Sequence, residues 1–165
     1  MTRLTGWRFW VLRDDWLYSP YAPARQPPHL ETVTLWRGRS LRPVCPAVSR
    51  HVPPVGGCTC GVYFAMHLRD ILATVERWRT STGPNSIDTA QHVVGRVSFT
   101  PPVLFEHDTG GGAFTLEGRA AAATIERLWF DDRTIYSPRR NWERSRIQNI
   151  LQARYRVPVS VGLPR

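Results

Sequence analysis

Apolar residues along this chain fall into short blocks broken by prolines, glycines and paired acids, and the period inside the blocks changes along the sequence. Trp7 to Leu12 (WRFWVL) is aromatic and β-branched and reads as a strand. Asp14-Asp15 supplies a turn, and Trp16 to Tyr18 returns as the partner, giving an opening hairpin. Ser19 to Pro28 carries four prolines and reads as an extended arm. Leu30 to Trp36 is a further strand. From Ala65 to Arg79 the period becomes helical, with Leu68, Ile71, Leu72, Val75 and Trp78 on one stripe and charged residues mostly off it. Gly83-Pro84 ends that helix, and residues 81 to 91 form a polar connector.

Val93 to Glu106 predicts two strand segments bent at Pro101-Pro102, since proline cannot donate to a central ladder. Gly110 to Gly112 makes the tip of a hairpin over residues 103 to 117. Ala120 to Phe130 fits helix by its alanines and strand by Ile125, Trp129 and Phe130; strand is the reading adopted. Ser137-Pro138 starts a second helix, serine capping and proline at the first helical position, running to about Arg154 with Ile147, Ile150, Leu151 and Tyr155 toward the core. Val157 to Val161 adds an edge strand. Tyr18-Ser19-Pro20 and Tyr136-Ser137-Pro138 echo each other, a match short enough for reused turn chemistry. The sum is one α+β domain over residues 1–165: a mainly antiparallel, partly closed sheet or small barrel with two flanking helices.

Composition narrows this picture. A chain of 165 residues with 42% hydrophobic content buries a real core, which excludes a disordered tail. No apolar run reaches the roughly 18 residues of a membrane span, and the N-terminal stretch lacks a signal peptide's apolar region, so a cytoplasmic setting is expected. The net charge of +9 invites a nucleic-acid or acidic-protein partner. All 22 basic residues are arginine, as a GC-rich coding bias produces, which points to a high-GC bacterium or its phage. Arginine's planar fork suits phosphate. Arg37, Arg39, Arg42, Arg139, Arg140, Arg144 and Arg146 are the candidate contacts.

The chemistry concentrates between positions 45 and 60. All three cysteines, Cys45, Cys58 and Cys60, lie there with His51, the ligand number and types of a structural zinc site, although one residue between Cys58 and Cys60 departs from the usual two. The alternative is that the cysteines are small buried hydrophobes at a turn and His51 an ordinary loop residue. Neither H-x-E with P-C-x-x-C nor H-E-x-x-H occurs, so a bound metal is expected in a closed site. A cysteine nucleophile activated by His51, His67 or His92 is a weaker reading, and Asp14, Asp15, Asp131 and Asp132 read as turn residues.

Trp7, Trp10, Trp16, Trp36 and Trp129 serve as core, or as an aromatic pocket for a base or cation if gathered on one side of the sheet. The W-R-x-W segment (Trp7, Arg8, Trp10), Ser19-Pro20, then Cys45, His51, Pro53-Pro54, Cys58, Cys60, Gly61, Val62, Tyr63 and Ala65, with Val94, Gly95 and Val97, resembles a set of small uncharacterised actinobacterial and phage proteins. The resemblance spans roughly residues 7 to 100 and implies one cytoplasmic domain; it brings no activity. The expected function is a non-enzymatic binding module stabilised by zinc and contacting nucleic acid through arginines. The alternative is a phage-type interaction factor that modulates a host protein through its proline-rich arm.

Overall fold

The computed structural model describes residues 4–20, 35–45, 51–58, 60–80, 91–106, 117–133, 135 and 138–165. An eight-stranded mixed sheet and two helices account for the regular structure among them. In chain order these are β1 (Leu4–Arg13), β2 (Trp16–Tyr18), β3 (Leu35–Trp36), β4 (Ser40–Leu41), β5 (Val62–Ala65), α1 (Leu68–Thr80), β6 (Gln91–Glu106), β7 (Glu117–Phe130), α2 (Arg140–Tyr155) and β8 (Val159–Val161). The architecture is α+β and the pairing antiparallel, except that β8 runs parallel to β7. β1 pairs with β6, β6 with β7, β7 with β5, and β5 returns to β1 through Trp7 and Ala65, so the sheet is partly ring-like.

Both faces of β1 are covered, which is why WRFWVL is a near-continuous apolar run rather than an alternation. On one side Trp10 joins Trp36, Val97, Phe99, Leu128 and α2's Ile147, Leu151 and Tyr155 in the main core. On the other, Phe9 and Val94 pack with Ile71 and Val75 of α1. The Asp14-Asp15 turn forms as expected, both residues adopting positive φ, and it sets Val11 opposite Tyr18. Tyr155 ties the two ends of the chain together: its buried hydroxyl accepts from the Leu17 amide and donates to the Trp36 carbonyl, each at 2.9 Å.

Several boundaries differ from expectation. The first helix begins at Leu68 because Ala65 is taken by β5. β6 is one continuous strand; its prolines fit because the ladder slips between Thr100 and Val103, so Pro101 and Pro102 share an irregularity instead of breaking the strand. β7 confirms the strand reading of residues 120–130. α2 begins at Arg140 with Arg139 at the capping position, two residues later than a Ser137 cap implies. Ser137, Tyr136, the arm at 21–28, Leu30 to Thr34 of the expected third strand, the connector at 81–90 and the hairpin tip at 107–116 lie outside the described residues. No described helix is long and apolar enough to cross a membrane.

His92, on β6, is fully buried against Phe9, and neither ring nitrogen finds a hydrogen-bond partner among the described residues. Burial pushes its pKa below the ordinary 6.5, against the opposing pull of the Asp131 charge. The unfolded chain therefore binds this proton more readily than the folded one. As far as His92 is concerned, stability is undiminished above about pH 6.5 and falls as the pH drops below it, by up to about 1.4 kcal/mol per pH unit. His92→Phe is expected to flatten the decline in thermal midpoint between about pH 6.5 and 5. An unchanged slope would show that His92 is not the group responsible.

Candidate metal centre

The cysteine segment enters from β4 and leaves into β5, so both of its ends are fixed on β7. Gly57 has φ +77°, in the left-handed region, which turns the chain so that the Cys58 amide donates to Val55 O at 3.2 Å. Gly61 follows with φ +121°, and a Cβ there would lie 3.2 Å from the Arg119 side chain, so the chain presses closely against β7 as it becomes β5. Cys58 and Cys60 reach one cluster with a single residue between them.

The Sγ atoms of Cys45, Cys58 and Cys60 and a ring nitrogen of His51 all lie within 4.8 Å of one another, and the cluster can hold a metal ion. Cys45 Sγ and Cys58 Sγ are 3.6 Å apart, and His51 Nε2 lies 3.0 Å from Cys60 Sγ. A tetrahedron built on zinc–sulfur bonds of about 2.3 Å has S–S edges of about 3.8 Å. The thiol pair already matches such an edge, while the longest separation must contract by about 1 Å. Cys60 is buried and the other three donors are partly exposed.

The thiols differ in acidity. The Cys60 backbone hydrogen bond, followed by its side chain, holds Cys58 down to about 7. Burial, reinforced by the neighbouring cysteines, pushes Cys60 up to about 11, so without a cation this inner thiol is protonated at neutral pH.

Arg119, only 3% exposed on β7, was not legible as part of this site. Its guanidinium donates to the Cys58 carbonyl and, at 3.1 Å, to the Cys60 carbonyl, and lies 5.7 Å from the Tyr63 ring centre. Arg8, buried on β1, donates to the Tyr63 carbonyl and to Ser19 Oγ. Two interior arginines thus hold the cysteine segment and its strand from both sides. Only the strand register reveals this, because Arg119 is 59 residues from Cys60.

The other candidate residues are dispersed. Trp10 and Trp36 meet edge to face at 5.2 Å in the core, with Arg8 over both rings, so the cation they enclose is the chain's own. Trp16 stacks under Arg154 at 3.6 Å, and Trp7 pairs with Trp129 on the α1 side of the sheet, 5.6 Å between ring centres. The five tryptophans therefore occupy three places rather than one pocket. Arg37, Arg39 and Arg42 are exposed beside β4, Arg39 donating to Ile125 O at 2.9 Å. On α2, Arg140 and Arg144 converge on Asp132, and Arg146 grips Asp15 at 2.8 Å; Arg139 is exposed at the helix start. Burial alone would raise Asp132, but Arg144 and Arg140 bring it below the usual carboxylate range. Asp131 is clamped by Arg133 at 2.7 Å. His67 is exposed at the start of α1, and His92 is buried beneath α1.

Comparison of the chain with models of known protein families, with curated proteins and with solved structures finds no match.

Proposed function

We propose that this chain is a small, non-enzymatic binding module in which Cys45, His51, Cys58 and Cys60 hold one structural zinc ion and the basic surface contacts nucleic acid. The observation that carries the metal reading is the convergence of four donors from positions 45 to 60 within 4.8 Å. Three thiolates and an imidazole suit zinc, and four protein ligands leave no open position for a substrate, which favours a structural over a catalytic ion. Three thiolates around a divalent cation carry a net charge of −1, and the buried Arg119 guanidinium beside Cys58 and Cys60 complements it. In this reading the ring of β1, β6, β7 and β5 acts as a small barrel, and the zinc clasp fixes the entry to its fourth strand. Free thiols in this number fit a reducing, cytoplasmic setting.

The nucleic-acid part rests on the charge of +9 and on exposed arginines. Binding of the purified chain to single-stranded DNA and RNA should weaken linearly on a log–log plot as salt rises. Absence of binding at low salt would remove this part of the proposal. It would leave the second reading, a protein-interaction factor, which is favoured by Val44 and Val52, 71% and 74% exposed beside Cys45 and His51.

A further inference from the structure

The arginines of α2 are poor candidates for the nucleic-acid contact, since Arg140, Arg144 and Arg146 are committed to Asp132 and Asp15. The sheet face that carries α1 offers a better one. Trp7 on β1 stands directly opposite Arg96 on β6, which stands directly opposite Arg127 on β7. Directly paired residues of an antiparallel ladder project to the same side, so these three form one row across three strands. With strands about 4.8 Å apart the row spans about 10 Å. Trp129, two residues beyond Arg127, lies on the same side; its ring meets Trp7 at 5.6 Å and the Arg127 guanidinium at 5.0 Å.

Two guanidiniums directly opposite each other are an unfavourable cross-strand pair. Glu126 lies 3.4 Å from Arg96, and Arg127 donates to Ser160 Oγ at 3.1 Å. Among the described residues one carboxylate stands against two guanidiniums, which leaves the row positive. The Arg96 side chain is 52% exposed and Arg127 is exposed, so both reach solvent. Both indoles are half-buried, each anchored by packing while part of its surface stays open. A partner that neutralises paired guanidiniums and offers flat rings to indoles has accessible phosphates and unstacked bases. A duplex meets the first demand but keeps its base faces in the stack.

We infer that Trp7, Arg96, Arg127 and Trp129 form a binding surface for single-stranded nucleic acid, the arginines holding phosphates and the tryptophans stacking an unpaired base. This rests on the nucleic-acid reading above and moves its surface from α2 to the sheet.

The test is fluorescence anisotropy with a labelled mixed-sequence single strand of about 12 nucleotides, within the usual site size. It compares wild type, the Arg96→Gln/Arg127→Gln pair, Trp129→Leu, and Arg139→Gln/Arg140→Gln, each checked for folding by circular dichroism. The sheet arginine pair should bind about tenfold more weakly and flatten the log–log salt slope by about 1.4, or roughly 0.7 per lost phosphate contact. Trp129→Leu should weaken binding about tenfold with the slope unchanged. The helix pair should match wild type. Should Trp129→Leu fail to fold, the exposed arginine pair still decides the question. Full affinity and slope in the sheet pair, or loss only in the helix pair, would overturn the assignment. So would equal affinity for a duplex or for polyglutamate, since charge alone would then explain the contact. A wild type that binds no single strand at low salt would instead remove the parent reading.

Discussion

Cys60→Ser is expected to lower the thermal midpoint of the zinc-loaded chain by about 8–16 °C. Serine stays close to cysteine in size and removes the thiolate ligand, and comparison with the metal-free chain isolates the metal bond. A site held at about 1,000 times its dissociation constant contributes about 4 kcal/mol to the folded state. For a chain of this size each kcal/mol moves the midpoint by about 2–4 °C. The effect should also be redundant with chelation: a strong chelator brings wild type down to the Cys60→Ser midpoint and leaves the variant where it is. Additive losses would mean that the serine acts through packing alone. The partly exposed positions of Cys45, His51 and Cys58 make the ion accessible to the chelator without prior unfolding.

Gly118→Ala carries the second large effect. Gly118 on β7 pairs with Phe64 on β5, and the phenyl ring lies over the missing side chain: a Cβ would fall 2.1 Å from Phe64 Cζ. The ring cannot step aside easily, being stacked on Phe99 at 3.7 Å with Phe105 at its edge, and it is 1% exposed. Overpacking a core typically costs about 1–3 kcal/mol, and a clash this short belongs at the upper end, a fall of about 6–12 °C. Phe64→Leu in the same chain should recover part of the loss, so that the double variant is more stable than the two single effects predict. Full stability in Gly118→Ala would mean that β5 pairs with β7 in another register, and the segment leading from Cys60 into β5 would then be placed differently.

These expectations show which features the sequence exposes. The four donors were legible because they crowd into one segment, as were the Asp14-Asp15 hairpin, set by local turn chemistry, and the α1 stripe, which has one buried face. The single residue between Cys58 and Cys60 departs from the usual spacing, yet both thiols reach the same cluster. What depends on register was hidden. Nothing in the sequence marks Arg8 and Arg119 as interior residues, although the fold buries both to hold the cysteine segment. Asp15 and Asp132 read as turn residues, although they neutralise the α2 arginines. The row of Trp7, Arg96 and Arg127 exists only once three strands, distant in sequence, are aligned. Strands covered on both faces, such as β1, also erase the alternation that would mark them.

The most direct measurement for the account as a whole is the metal content of the untreated purified protein, read as zinc per chain by elemental analysis against sulfur. The proposed zinc site predicts about one zinc per chain in wild type and loss of that zinc in Cys60→Ser. A wild type that carries no metal and neither takes up zinc nor gains stability when it is supplied would contradict the reading of Cys45, His51, Cys58 and Cys60 as a metal centre.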